Sequence, residues 1–303
     1  MGLAVLLFVL VGGRSLLKSA SRHATVTAMA VALIALLATA TVALYLLFRF
    51  GWHVPLAHPL SQFHIGWGAV GWIGGLVIGV AYQVVPMFQI TPEYPRWLRR
   101  GLVPGLGALL VLWPLVSNTP LNEVVGGIVM AMLVAFALQT LYLQQRRRRR
   151  LADVTLDFWR LSMVSLILAA LAWLANLYSS HVALELAVGV LFLLGFAGSA
   201  VNGMLYKIVP FLIWLHLNMR LQQNGRRQVK VPNMKQVIPA RPARWQFRLH
   251  LTALLILLIG IGTGTVVVPP AIIGLAWLAS SGLLWWNLLQ ALQVYRRVLL
   301  EAV

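Results

Sequence analysis

Residues 62–90 read QFHIGWGAVGWIGGLVIGVAYQVVPMFQI and contain no Asp, Glu, Lys or Arg. An α-helix rises about 1.5 Å per residue, so about 20 apolar residues cross the roughly 30 Å hydrocarbon core of a bilayer. This stretch is long enough to do so, and it lacks the apolar–polar alternation of a barrel strand. It therefore predicts a transmembrane helix.

Further apolar segments surround this one. Those predicted to span the membrane are 25–50, 102–116, 124–143, 158–178, 182–215, 249–268 and 271–294. Residues 1–24 predict a short or truncated first helix, because their basic residues follow the apolar stretch instead of preceding it as in a signal peptide. Only 10% of the 303 residues are charged, against about a quarter in soluble domains. We expect an all-α, polytopic membrane helix bundle of eight or nine transmembrane helices in a lipid bilayer.

The charge distribution predicts the orientation. Lys and Arg together number 24 against 6 Asp and Glu, but no basic domain with interleaved aromatic residues suggests nucleic acid as a partner. Loops 51–61, 117–123, 179–181 and 268–270 contain no Lys or Arg. By the positive-inside rule we expect a bacterial inner (plasma) membrane protein with the N-terminus outside and the C-terminus in the cytoplasm. Residues 216–248 are predicted to be a cytoplasmic basic loop, and the run Arg146–Arg150 an orientation anchor or a lipid or partner contact.

Two helices share a pattern at an offset of 124 residues. The matched positions are Gly71, Gly75, Gly79, Tyr82 and Pro86 in one and Gly195, Ser199, Gly203, Tyr206 and Pro210 in the other. This predicts a parallel internal repeat of four helices, with residues 25–150 as the first copy and 151–303 as the second. Small residues four apart suit close helix packing, or they leave room for a flat cofactor against the backbone.

Histidines are the residues most suited to chemistry here. Cysteine is absent, which excludes disulfides, thiolate-ligated clusters and a Cys nucleophile. His23, His216 and His250 are expected at the cytoplasmic boundary as interfacial residues. The remaining four are expected on the outer side, at His53, His58, His64 and His181, with Glu185 one helical turn after His181.

Imidazole binds haem iron, copper and zinc, and ionisable groups within a membrane are functional candidates. The outer residues therefore form two overlapping hypotheses. A cofactor site would use His64, His58 and His181, lined by Gly71, Gly75 and Gly79. A metal site would use His64, His181, Glu185 and His53. Interfacial placement is the alternative, notably for His53 beside Trp52.

The stretch from His64 through Gly71, Gly79 and Tyr82 to Pro86, continued by Met-Phe, resembles helices of the haem–copper oxidase subunit I superfamily. That superfamily includes the haem- and copper-containing membrane proteins of the nitric-oxide response. The resemblance implies His64 as a haem ligand, haem with or without copper as cofactor, and two of the family's four-helix arcs. It also implies electron transfer or nitric-oxide and respiratory metabolism with a membrane or periplasmic redox partner. An enzyme of this kind would be an oxidoreductase.

The chain departs from that family in its ligand set. It has no His-His pair and no His-x-His motif, and Val188 stands at the repeat position of His64. A complete oxygen-reducing site is therefore not expected. Two alternatives stay open: a transporter or permease whose substrate or proton groups are Lys207, Asn202 and Glu185, and a non-catalytic structural membrane subunit.

Overall fold

The protein is a multi-pass bundle of helices. The computed structural model describes residues 2–18, 23–52, 58–148, 152–223, 231–263 and 267–301. These residues form α-helices and two π-helical segments, and they contain no strand. Within the same ranges, eight helices are long and apolar enough to cross a membrane. The predicted all-α polytopic bundle is confirmed.

The chain divides into two compact units, Met1–Arg149 and Arg150–Val303. The first unit contains α1 (Gly2–Leu17), α2 (Ala24–Gly51), α3 (His58–Gly66), α4 (Gly75–Gln89), α5 (Arg96–Val116) and α6 (Leu121–Gln145). A π-helical segment, π1 (Trp67–Gly74), joins α3 to α4. Together they make one apolar span, Leu60–Gln89.

The second unit has a similar order of elements. It contains α7 (Val154–Ser179), α8 (Val182–Val190), α9 (Ser199–Gln223), α10 (Met234–Val237), α11 (Ala240–Thr263) and α12 (Pro270–Glu301). A second π-helical segment, π2 (Leu191–Gly198), joins α8 to α9. Helix α7 begins with a side-chain cap, because Asp153 accepts a hydrogen bond from the Thr155 N–H at 3.0 Å.

Close packing in the first unit joins α2 to the π1–α4 helix. A Cβ placed on Gly71 would lie 2.8 Å from the Ala35 Cβ, and one placed on Gly79 would lie 2.5 Å from the Ala28 Cβ. Both alanines are buried. The two helices approach this closely because glycine on one side faces alanine on the other, which is the small-residue packing typical of membrane helices.

The second unit packs α7 against the π2–α9 helix in the same manner. A Cβ on Gly195 would lie 2.6 Å from the Ser165 Cβ, and one on Gly203 would lie 2.9 Å from the Phe158 Cβ. The segments π1 and π2 lie 124 positions apart, the offset of the sequence pattern. These correspondences support the four-helix repeat, which stays a prediction.

Helix α5 begins earlier than the apolar pattern predicts. The predicted span was 102–116, whereas the helix begins at Arg96, directly after Pro95 in extended conformation. Leu98 and Leu102 are buried in this first part. Arginine stems can lie along a helix while the guanidinium reaches the headgroups, so a membrane helix can begin within a basic stretch.

The predicted basic loop 216–248 is also largely helical, which corrects that prediction. Helix α9 continues to Gln223, and α11 begins at Ala240. The helices form because the segment has an apolar face, although basic residues lower its average hydropathy. Leu217 and Leu221 are buried and belong to one cluster with Val237 of α10. Polar residues on the opposite face made the segment resemble a loop.

Candidate functional site

His64 lies on α3, where the outer histidines were predicted to meet. Its Nδ1 lies 3.1 Å from the carbonyl oxygen of Thr39 on α2, and the contact is partly buried. Because a carbonyl oxygen only accepts, Nδ1 carries the proton and donates it. A neutral imidazole then keeps its lone pair on Nε2. This is the arrangement of metal-ligating histidines, which usually donate through the other ring nitrogen to a carbonyl or carboxylate.

Aromatic residues surround this part of α3 and π1. Trp113 packs directly on Gly66, where an added Cβ would lie 2.1 Å from the Trp113 Cζ3. The indole N–H of Trp113 donates to the side-chain oxygen of Asn122 on α6. Phe63 and Trp67 pack with their ring centroids 5.5 Å apart. The helix faces beside His64 thus pack largely through aromatic rings.

Two buried polar atoms near His64 have no hydrogen-bond partner in the described part of the chain: the Thr39 Oγ1 and the Trp67 Nε1. Thr39 supplies the carbonyl that holds the imidazole, and Trp67 follows His64 by one turn. A buried polar atom without a partner typically costs about 1–3 kcal/mol. A bound group with its own donors and acceptors would offset that cost, so these residues fit a ligand near His64.

The glycine stripe does not fit the cofactor hypothesis. Gly71, Gly75 and Gly79 face α2, and added Cβ atoms there would meet alanine side chains. Gly75 has the most room, with the Val103 Cγ1 of α5 at 3.6 Å and the Ala32 Cβ at 3.7 Å. Since α2 fills this face, no space is left for a flat group against these glycines. The alternative interpretation, close helix packing, describes their environment.

His181 has a different role from His64. Its Nδ1 accepts a hydrogen bond from the Ala183 N–H at 3.1 Å and so caps α8. Its own backbone N–H donates to the Asn176 side chain at 2.9 Å. With Nδ1 accepting, the proton of a neutral ring sits on Nε2, which then has no lone pair for a metal. Ligation by Nε2 would require the other tautomer and loss of the cap.

The other predicted ligands do not complete a site. Glu185 is exposed one turn after His181. His53 and the side chain of His58 lie outside the described residues. Among the residues that are described, no three His, Asp or Glu side chains come together as a metal-binding group.

Lys207 and two tyrosines near the inner helix ends connect helices. The Lys207 Nζ lies 2.6 Å from the Asp153 carboxylate, so this cation pairs with the capping residue of α7. The Tyr206 hydroxyl accepts a hydrogen bond from Asn287 on α12 at 2.9 Å. The Tyr82 hydroxyl donates to a backbone carbonyl of α5 at 3.0 Å. These contacts give the three residues a structural role.

His250, predicted to be an interfacial residue at the cytoplasmic boundary, is buried within the second unit, which the sequence pattern did not predict. The side chain is 2% exposed, inside the second unit. Its Nε2 lies 3.0 Å from the Ser199 Oγ. The rings of Phe158 and Trp277 lie 5.5 and 5.4 Å from the imidazole, centroid to centroid. His250 is buried because it lies on the helix face that also carries Ala243 and Gln246.

Two histidine-centred sites thus stand out, His64 in the first unit and His250 in the second. No family model, no curated protein and no solved structure matches the chain. The likeness of residues 64–88 to the haem–copper oxidase helices therefore rests on those residues alone.

Proposed function

We propose that the protein binds haem in a bacterial inner membrane, and that His64 would hold it through Nε2. In this proposal it is an oxidase-subunit-I-like protein of electron transfer or of nitric-oxide and respiratory metabolism. It exchanges electrons with a membrane or periplasmic redox partner and has no complete oxygen-reducing site. The N-terminus lies outside and the C-terminus in the cytoplasm, as the basic loops favour.

One observation carries the proposal: the hydrogen bond from the His64 Nδ1 to the Thr39 carbonyl. It holds the ring in one orientation and leaves Nε2 as the ligating nitrogen. His181 lacks this arrangement because its Nδ1 is an acceptor. Of these two histidines, His64 is therefore the better ligand.

A bound haem would supply one-electron transfer and binding of a diatomic gas. The chain would contribute the His64 ligand and two buried polar atoms able to bond the bound group. Those two are the Trp67 Nε1 and the Thr39 Oγ1. Copper is the second candidate, since the same imidazole nitrogen binds copper ions.

Absorption spectroscopy tests the proposal directly. The protein would be expressed with ample haem precursor, purified in detergent, and measured oxidised and then reduced with dithionite. We expect a Soret band and sharp reduced bands. His64→Ala abolishes them because the residue that would hold the haem is lost, whereas His181→Ala, which removes only a helix cap, retains them.

Size-exclusion profiles and metal analysis accompany both variants. A featureless visible spectrum from folded protein at full yield rules out haem, and copper content then decides the second candidate. Equal haem content in the unaltered protein and in His64→Ala rules out His64 as the ligand. Loss of haem in both variants with intact size-exclusion profiles would also refute the assignment to His64 alone.

A second candidate function is a transporter. The observation that favours it is Asn202 in the second unit, whose Oδ1 is buried without a hydrogen-bond partner in the described part of the chain. Lys207 contributes less to this candidate because Asp153 already pairs with it. Counterflow of labelled solutes in liposomes, with Asn202→Ala as the variant, would test this candidate. A structural subunit would show neither cofactor nor flux.

A further inference from the structure

One end of the first unit carries an arginine surface that the haem proposal does not use. It combines the first turn of α5 with the residues that follow α6, and its members are Arg96, Arg99, Arg100, Arg146, Arg147 and Arg148. The first unit has two acidic residues, and Glu123 lies at the opposite end of α6. Only Glu93 is therefore close in the chain to this surface, which has a large excess of positive charge.

Hydrogen bonds hold the two groups of arginines at the same end of the unit. The backbone N–H of Arg148 donates to the carbonyl of Ile90, the residue that ends α4, at 3.0 Å. In the connection from Ile90 to α5, the buried Tyr94 hydroxyl forms a hydrogen bond with the Thr140 hydroxyl of α6 at 2.9 Å. The chain that enters α5 is thus fastened to α6 and to the chain that leaves it.

The arginines of α5 can bind an external anion. Arg96, Arg99 and Arg100 are spaced i, i+3 and i+4, which places them on one side of the helix. Arg99 pairs with Glu93 at 3.0 Å. Arg96 and Arg100 are exposed, and neither forms an ion pair with a residue that the structure describes. Two such guanidinium groups one turn apart suit a phosphate, because guanidinium donates to phosphate oxygens in pairs.

The exposed side of α6 has the order of groups that suits a phospholipid. Leu138, Tyr142 and Arg146 follow one another at intervals of four and therefore lie along one helix face. Leu138 is 54% exposed and Tyr142 is 44% exposed. The Arg146 guanidinium lies over the Tyr142 ring, 4.5 Å from its centroid, in a cation–π contact. An acyl chain, the interfacial region of a lipid and an anionic headgroup would meet these three side chains in that order.

An exposed tryptophan accompanies the arginines of α5 in the same way. Trp97 follows Arg96 directly and is 66% exposed. Exposed tryptophan and tyrosine rings are enriched at the headgroup level of a bilayer. One turn later, a Cβ added to Gly101 would meet no atom within 4 Å, so a lipid can approach the backbone there. A soluble anion would not need an aromatic ring beside each group of arginines, and this favours a lipid as the partner.

We propose that the arginine surface binds anionic phospholipids, with headgroup phosphates on Arg96 and Arg100 of α5 and on Arg146 of α6. The acyl chains extend along the exposed apolar faces of the same two helices. In the proposed orientation this end faces the cytoplasmic leaflet, whose anionic lipids attract basic segments. Basic loops orient a membrane protein without selecting a lipid, whereas this surface selects by headgroup charge. The proposal does not rest on haem binding at His64.

Native mass spectrometry of the purified protein in detergent micelles tests the proposal. The protein would be titrated with phosphatidylglycerol and, separately, with phosphatidylcholine of the same acyl chains, and the bound lipids would be counted at each concentration. One variant combines Arg96→Gln with Arg100→Gln. The matched control combines Arg296→Gln with Arg297→Gln near the end of α12, where both arginines are also exposed. The two variants lose the same charge, and size-exclusion profiles show that each is folded.

We expect phosphatidylglycerol to bind more tightly than phosphatidylcholine. The α5 variant should raise the dissociation constant of phosphatidylglycerol about 30-fold, because each arginine at an anionic surface is worth about a fivefold change. Arg146→Gln, a second variant on the other helix, should raise it about fivefold for the same reason. The α12 control should leave the tightest binding unchanged.

Equal losses in the α5 variant and in the α12 control would overturn the proposal, because they would show that net charge alone attracts the lipid. Equal affinity for the two lipids would also overturn it. Displacement of bound phosphatidylglycerol by millimolar inorganic phosphate would overturn the choice of a lipid and show a site for a free anion. None of these results depends on the visible spectrum, so they are distinguishable from failure of the haem proposal.

Discussion

Replacing Gly79 by alanine should separate α2 from α4. The new Cβ would lie 2.5 Å from the Ala28 Cβ, whereas ordinary contacts begin at about 3.4 Å. The helices must therefore move apart by about 0.9 Å, the difference between these distances. Ala28 has no flexible side chain to turn aside, because its side chain is the Cβ alone. Its Cα and carbonyl carbon also lie only 3.7 Å from the added Cβ. Overpacking of this kind costs about 1–3 kcal/mol.

The free energy of unfolding in detergent micelles would be measured for Gly79→Ala and for Gly127→Ala as the control. Gly127 has no atom within 4 Å of an added Cβ. Both changes share the gain in helix propensity, up to about 1 kcal/mol, so their difference isolates the packing cost. Adding Ala28→Gly to Gly79→Ala should recover most of the loss, a coupling that a double-mutant cycle measures. Equal stability of Gly79→Ala and Gly127→Ala would refute the close approach of α2 and α4.

Two further predictions concern residues outside the membrane spans. Burial raises the pKa of Tyr94, whose hydroxyl also forms a hydrogen bond with Thr140 at 2.9 Å. The stability that this raised pKa contributes is complete below the unfolded-state pKa of about 10 and is lost as the pH rises above that value. The free energy of unfolding, measured from pH 8 to 11, should therefore decline less steeply with pH in Tyr94→Phe than in the unaltered protein. Identical slopes in the two proteins would contradict this. His181→Ala should lower the unfolding free energy by up to about 1 kcal/mol through loss of the α8 cap, and unchanged stability would show that the cap contributes nothing.

Much of the fold is predictable because the bilayer dictates helix length. Apolar stretches long enough to span it, such as 62–90, became helices with nearly the predicted bounds. Helix ends in basic stretches were missed for one physical reason: a hydropathy average treats arginine as a break, although its stem can extend along a helix. That reason accounts for the early start of α5 at Arg96 and for the helical ends of 216–248.

The two histidine sites differ in how much of each could be predicted from the sequence. His64 stood out by position, but which of its ring nitrogens keeps a free lone pair depends on the Thr39 carbonyl, a backbone group on another helix that no side-chain pattern marks. The burial of His250 was not predicted because the exposed residues Arg244 and Arg248 lie close to it in sequence. The signal that could have found it is the spacing of the small and polar residues Ala243 and Gln246, which continue one buried face to His250. The glycine stripe had two physical explanations, and only the position of α2 decides between them.

Each π-helical segment determines the direction in which the later side chains of the same helix point. A residue added to or removed from an α-helix turns all later side chains by about 100°, and a π turn absorbs one such extra residue. If the same residues of π2 wound as a regular α-helix, the extra residue would no longer be absorbed, and Ser199 would turn away from His250 and Gly203 away from α7. The wide turn thus lets one continuous membrane helix direct its small residues towards α7 and the Ser199 hydroxyl towards α11.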